Sequence, residues 1–117
     1  TLIQPPRQNA GLCDGKSWKH HWNMWKTQLD ELLQKNTFDL SLVCAGGFGM
    51  ITCDYLFTHH KLNTIYVGGG LQLFFGIKGK RWNTHRIISG LYNEYWVNVD
   101  SNDLPPNQWI CENGCYW

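Results

Sequence analysis

Apolar positions along the chain fall into distinct patterns. Trp18, Trp22, Trp25, Leu29 and Leu32 are spaced 4, 3, 4 and 3, which places all five on one face of a helix. Ser17 precedes this stripe as an N-cap, and the helix is expected to end near Asn36. Residues 38–43 (FDLSLV) and 62–67 (LNTIYV) are short β-favouring runs, each entering glycines. Between them, residues 50–60 read as a second helix with Ile51, Tyr55 and Leu56 turned inward. The run LQLFFGI after Gly70 has no decisive period, and a short helix starting at the glycines is expected, because two strands back to back would need a turn.

Strand, glycine turn and helix, twice over with crossovers of ten or more residues, is the pattern of parallel βαβ units, so the fold class is α/β. Residues 1–4 are extended and are stopped by Pro5 and Pro6, and residues 7–16 form a polar loop. Residues 84–91 are a further helix candidate, and residues 93–117 form an aromatic, Pro-containing tail without clear period. Three strands are fewer than an open parallel sheet carries, and both faces of such a sheet need cover. The expectation is a partial, mostly parallel sheet from a larger domain that lacks its N-terminal part. No repeat or linker divides residues 1–117, which read as a single domain.

Composition narrows the function classes only modestly. A chain of 117 residues with 43% hydrophobic and 16% charged residues has a globular balance. A formal net charge of +1 argues against nucleic acid or an anionic membrane as a partner through global electrostatics. No apolar run approaches the ~18 residues that cross a bilayer, and no signal-peptide pattern opens the chain, so it reads as soluble. The opening Thr1 suggests a mature product or a piece of a longer chain. Five cysteines, at positions 13, 44, 53, 111 and 115, are an odd set with two in apolar segments. That usage fits thiols in a reducing, cytoplasmic setting better than a secreted disulfide framework.

The glycine stretches carry the candidate chemistry. In an open parallel sheet, ligands sit beyond the carboxyl ends of the strands, where Gly46, Gly47 and Gly49 and then Gly68, Gly69 and Gly70 are expected. Glycine lets a ligand approach the backbone, and a helix start offers free N–H groups, so the natural guest is an anion such as a phosphate. Residues 44–49 (CAGGFG) approximate the dinucleotide fingerprint, but cysteine replaces the tight-turn glycine and residues 62–72 contain no acid for a ribose hydroxyl. Standard NAD binding is therefore disfavoured. The alternative is that these glycines merely let a helix pack close to a strand.

Lys78, Lys80 and Arg81 follow at loop distance, with His85 and Arg86 beyond, and could neutralise a diphosphate leaving group. Gly76 and Gly79 flank the cluster and would let its loop fold over a ligand; a solvated surface cluster is the plainer alternative. Among Asp39, Asp54, Glu94 and Glu112, the best-placed general base is Glu94, inside YNEYW. Trp18, Trp22 and Trp25 read as core, whereas Trp82, Tyr92, Tyr95 and Trp96 could stack on a base or sugar. No metal site is expected: His20-His21 and His59-His60 are adjacent pairs that point apart on a helix, and Cys111 and Cys115 would need Cys13 or a distant histidine to complete a set.

The stretches FDLSLVCAGGFG (38–49), IYVGGGLQLFFGIKGKRW (65–82), YNEYWV (92–97) and PPN…ENGCYW at the end resemble the C-terminal half of an uncharacterised family of GT-D-type, glycosyltransferase-like domains associated with surface-polysaccharide biosynthesis. The resemblance covers essentially the whole chain, and the block GGxLQLxFGIKGxRW is its distinctive part. In that family the first loop reads G-A-G-A-Y-G, from which Cys44 and Gly47 depart. The resemblance implies a Rossmann-like three-layer sandwich that binds a nucleotide-activated sugar and transfers the sugar to a glycan acceptor. It carries over Gly46, Gly49, Gly68, Gly69, Gln72, Lys78, Lys80, Arg81 and Trp82 as matched positions. An acidic metal-binding motif of the glycosyltransferase type is not among these residues, so a divalent ion would be held by residues upstream of this chain. Two other readings stay open: a non-catalytic nucleotide-binding or structural α/β domain, and an S-adenosylmethionine-dependent methyltransferase.

Overall fold

A computed structural model of the chain describes residues 1–7 and 14–117. Residues 8–13 lie outside the described residues, and with them most of the loop expected over 7–16 and Cys13. The chain packs as two units. Unit 1 comprises Thr1–Pro6 and Gly15–Leu71; the described residues of unit 2 are Arg7, Asp14 and Gln72–Trp117.

Unit 1 opens with helix α1, Trp18–Lys35, whose Ser17 hydroxyl accepts the His20 N–H at 3.2 Å and caps the first turn as the sequence suggests. The helix stops at Asn36, which turns extended and donates its side-chain amide to the Leu32 carbonyl at 2.9 Å. Strand β1, Leu40–Val43, leads through a 3₁₀ turn, Gly46–Phe48, into helix α2, Gly49–His60. Lys61 adopts the left-handed conformation at the end of α2 and returns the chain to strand β2, Asn63–Tyr66. The strands pair in parallel, Leu40 with Asn63 through Val43 with Tyr66. The Val67 N–H extends the ladder to the Val43 carbonyl at 2.9 Å. The fold is thus mixed α/β with a two-stranded parallel sheet.

The core of unit 1 gathers Trp25 and Leu29 from α1, Val43 from β1, Leu56 from α2 and Leu62, with Trp22, Leu33, Phe38, Cys53 and Tyr55 packed around them. One polar contact ties the two helices inside it: the Trp25 indole N–H donates to the Thr52 hydroxyl at 3.0 Å. Both groups are buried, so this bond satisfies two polar atoms that would otherwise have lost water for nothing. Trp18, read as core from its place in the stripe, is instead exposed and stacks on Phe48 at 4.8 Å between ring centroids. On α2 the buried positions are Gly49, Thr52 and Leu56, with Ile51 and Tyr55 half-buried beside them.

One expectation about organisation requires correction. Residues 1–4 are exposed and belong to neither strand, so the third strand is missing. After β2 the glycines open a short helix as expected, Gly68–Phe75, and it is of the 3₁₀ type. This run closes on itself: the Gly76 N–H reaches the Leu73 carbonyl and the Ile77 N–H the Gln72 carbonyl, each at 3.1 Å. The second βαβ crossover is therefore never completed, and the sheet keeps one.

Unit 2 is built from short pieces: helices α3, Lys80–Asn83, and α4, Arg86–Ser89, then 3₁₀ turns at Ser101–Asp103, Gln108–Ile110 and Glu112–Gly114. A single parallel bridge joins Ile77 to Val97, with the Lys78 N–H on the Val97 carbonyl at 2.8 Å. The helix candidate at 84–91 is realised as one turn, α4, with the His85 ring accepting the Ile88 N–H at 3.4 Å. Successive isolated turns explain why the tail shows no period. Among the described residues, unit 2 buries only Gly79, Pro105 and Gly114. No helix among the described residues of the chain is long and apolar enough to cross a membrane.

Candidate functional site

Because β1 and β2 run in the same direction and in register, their carboxyl ends coincide. Both glycine bends stand there. Gly46 has φ +48° and Gly68 φ +60°, a left-handed backbone that side chains disfavour. The N–H groups of Gly46 and Gly47 begin a 3₁₀ turn and have no acceptor within it, whereas those of Phe48 and Gly49 are taken by Ala45 and Gly46. A Cβ added at Gly46 or Gly47 would meet nothing within 4 Å, so open space lies over that backbone. The Gly46 and Gly47 N–H groups are thus donors on bare, exposed backbone.

Gly49 is a glycine for a different reason. A Cβ there would overlap the ring of Tyr66, and a Cβ on Gly68 would come within 3.7 Å of the same ring. The Tyr66 ring thus lies between the two bends, and the helix-against-strand alternative holds at this one position. Gly70 follows with only a Val67 methyl near, at 3.8 Å, and Gly69 continues the 3₁₀ run. Cys44, where the nucleotide fingerprint has its first glycine, is half-buried, and that burial pushes its thiol pKa up. It stays a small neutral side chain rather than a nucleophile.

The basic segment and the other matched positions belong to unit 2. Lys78 lies 5.3 Å from the Tyr92 ring centroid, Lys80 5.4 Å from that of Trp109, and Arg81 4.8 Å from that of Tyr116. Each cation is set over an aromatic ring, Tyr92 or one of the tail, an attraction worth ~0.5–1 kcal/mol at exposed sites. Arg81 also pairs with Glu112, both side chains being more than a third exposed. Solvent keeps such a pair weak, roughly 0–1 kcal/mol. Glu112 further accepts the Tyr116 hydroxyl at 3.2 Å and the Cys115 thiol at 3.5 Å.

Gln72 donates its side-chain amide to the Tyr116 carbonyl at 3.2 Å, and the Arg81 N–H reaches the Cys115 carbonyl at 2.9 Å. Gly79 is buried where these strands of contact cross. A Cβ on it would fall 2.6 Å from the Gln72 amide and 3.2 Å from the Tyr116 carbonyl. Its lack of a side chain therefore serves the tail's close approach, not the freedom of a ligand loop. Trp82 is half-buried and its indole N–H has no partner among the described residues. Glu94 sits exposed in a turn, beside the exposed Tyr95.

Sequence reasoning missed Tyr66, and it missed that Glu112 would meet Arg81. The Asn-Gly pair after Glu112 was the available signal, since it marks a left-handed turn. It also missed a polar cluster between α1 and α2. There Asp30 Oδ1 accepts the Tyr55 hydroxyl and meets His60 Nε2, both at 2.8 Å, with His59 stacked on Tyr55 at 4.5 Å. Burial first, then the hydrogen bond to Asp30 and its charge, push the Tyr55 pKa up. Among the described residues no group of three or more His, Cys, Asp or Glu is placed to hold a metal ion. Comparison with protein-family models, with curated proteins and with solved structures gives no match.

Proposed function

We propose that this chain is the nucleotide-sugar-binding part of a glycosyltransferase-like domain, acting in the cytoplasm in the assembly of a surface polysaccharide or related glycan. The observation that carries the reading is the pair of left-handed glycine bends, Gly46 and Gly68, beyond the same end of two hydrogen-bonded parallel strands. In parallel α/β sheets that end is where ligands bind, and side-chain-free N–H donors there suit a diphosphate. A single βαβ crossover is also the unit from which a Rossmann-like three-layer sandwich is built.

In this reading Gly46, Gly47 and Gly68 present backbone N–H groups to the diphosphate. Lys78, Lys80 and Arg81, in unit 2, carry positive charge of the kind that suits a phosphate group. Glu94, exposed in its turn, is the candidate base for an acceptor hydroxyl. A second reading, a structural domain without a nucleotide, is favoured by Gly49 and Gly79, whose missing side chains make room for Tyr66 and for the tail.

Thermal-shift measurement against UDP-, GDP-, dTDP- and CMP-sugars, the free nucleotides and S-adenosylmethionine separates these readings. A ligand at 100 times its Kd adds roughly 2.7 kcal/mol of stability. A shift with one nucleotide sugar and its free diphosphate is expected. A shift with S-adenosylmethionine alone would move the chain to the methyltransferases, and no shift at all would leave the structural reading.

A further inference from the structure

Unit 2 fastens its own C-terminal residues onto its basic segment by contacts of several kinds: the Arg81–Glu112 pair, the Arg81 N–H on the Cys115 carbonyl, the Gln72 amide on the Tyr116 carbonyl, and two cation–ring contacts. We propose that Arg81 and its neighbours form a binding site for a phosphate or diphosphate group, and that the Glu112 carboxylate occupies this site as a built-in stand-in for the ligand. The inference rests on the nucleotide-diphosphate reading and adds its regulation.

Carboxylate and phosphate are recognised by the same donors, above all by the guanidinium fork. Glu112 collects three of them, from Arg81, Cys115 and Tyr116. The backbone carries this carboxylate on three successive left-handed residues, Glu112 at φ +48°, Asn113 at +56° and Gly114 at +70°. Glutamate has no local reason to adopt that conformation, which persists only where surrounding contacts impose it. The carboxylate is therefore held by its partners, and a competitor for those partners frees the turn as well.

Arg81 is set in place meanwhile. Its guanidinium lies over the Tyr116 ring and its own N–H is fixed to the tail. The pair is open to solvent, with side-chain exposures of 38% for Arg81 and 55% for Glu112, so an incoming anion has access. A polyphosphate brings more charge than one carboxylate and wins the exchange at an exposed site.

Calorimetric titration of the full chain with inorganic pyrophosphate and with UDP and GDP tests the proposal in the wild type, Glu112→Gln and Arg81→Ala. Glu112→Gln keeps the side chain's size and removes its charge, so pyrophosphate is expected to bind it roughly tenfold more tightly than wild type. Arg81→Ala is expected to lose pyrophosphate binding. In the wild type, saturating pyrophosphate should speed hydrogen exchange at the Arg81 and Trp117 amides, whose acceptors are the Cys115 and Gly114 carbonyls. Equal pyrophosphate affinity in wild type and Glu112→Gln, with UDP or GDP still bound, overturns the stand-in and leaves the nucleotide reading intact. No binding of pyrophosphate, UDP or GDP by any variant overturns both. Should Glu112→Gln fail to fold, the wild-type exchange decides: unchanged rates at saturating pyrophosphate overturn the proposal.

Discussion

Unit 1 buries Trp25, Leu29, Val43, Phe48, Leu56 and Leu62, whereas the described residues of unit 2 bury two glycines and a proline and leave Phe74, Ile87, Tyr95, Trp109 and Ile110 exposed. The two units are therefore held by different physics. Area removed from water stabilises the first, at ~25 cal/mol per Å² of apolar surface. Cation–ring contacts, a carboxylate on three donors and a few tail hydrogen bonds hold the second, and each is individually weak. A unit of the first kind opens cooperatively, and one of the second kind opens piece by piece. The glycine bends stand on the former and the cations on the latter.

The widest difference is expected from matched tryptophan truncations. Trp25→Ala removes a buried ring and leaves the Thr52 hydroxyl without its partner, so denaturant unfolding should show a loss of about 3–5 kcal/mol. Trp109→Ala removes a ring that is 63% exposed and lies under Lys80, and should cost about 1 kcal/mol or less. Equal losses at the two positions would abolish the distinction between the units.

A smaller effect sharpens the comparison within unit 1, between glycines that make room for the protein and glycines that leave room for a ligand. Gly49→Ala drives a methyl group into the Tyr66 ring and should cost about 1–3 kcal/mol, most of it recovered in the double variant with Tyr66→Ala. Gly46→Ala meets no atom, and its cost, about 1–2 kcal/mol, comes from the left-handed backbone alone. Tyr66→Ala should not rescue it. A double-mutant cycle by chemical denaturation reads both; coupling at Gly46 would mean that the open space there is filled by Tyr66.

The same contrast explains which parts of the molecule were legible in the sequence. Where a core imposes a period, residue spacing reports it: Trp22, Trp25, Leu29 and the Ser17 cap define α1 correctly, and both strands follow from their β-branched and aromatic runs. At residues 68–75 hydrophobicity has no core to answer to, and the 3₁₀ run closes on itself through the Gly76 and Ile77 N–H groups, which reach back to the Leu73 and Gln72 carbonyls. The glycines showed where backbone would be bare but not why. Gly46 faces open space, while Gly49 and Gly79 face Tyr66 and Gln72, partners 17 and 7 positions away in sequence. Lys78, Lys80 and Arg81 were visible as charge; the rings of Tyr92, Trp109 and Tyr116 beneath them depend on the path of a tail that carries no period.

The smallest expected effect concerns the polar clasp of Asp30, Tyr55 and His60 between α1 and α2, and it is read by pH. Tyr55 donates to Asp30 only while its phenol is protonated, and burial together with that bond raises its pKa above the usual value near 10. A group whose folded pKa is raised contributes stability that is full below its unfolded pKa and is lost as pH rises through the folded one. The contribution should therefore be constant through neutrality and fall only above about pH 10. Tyr55→Phe should cost about 1 kcal/mol at pH 7 and remove this part of the alkaline loss. His60 keeps its own bond to the same Asp30 oxygen in the variant, so the two helices remain joined there. Urea midpoints of both proteins between pH 8 and 11 measure the difference; curves that stay parallel above pH 10 would show that the clasp contributes nothing to holding α1 against α2.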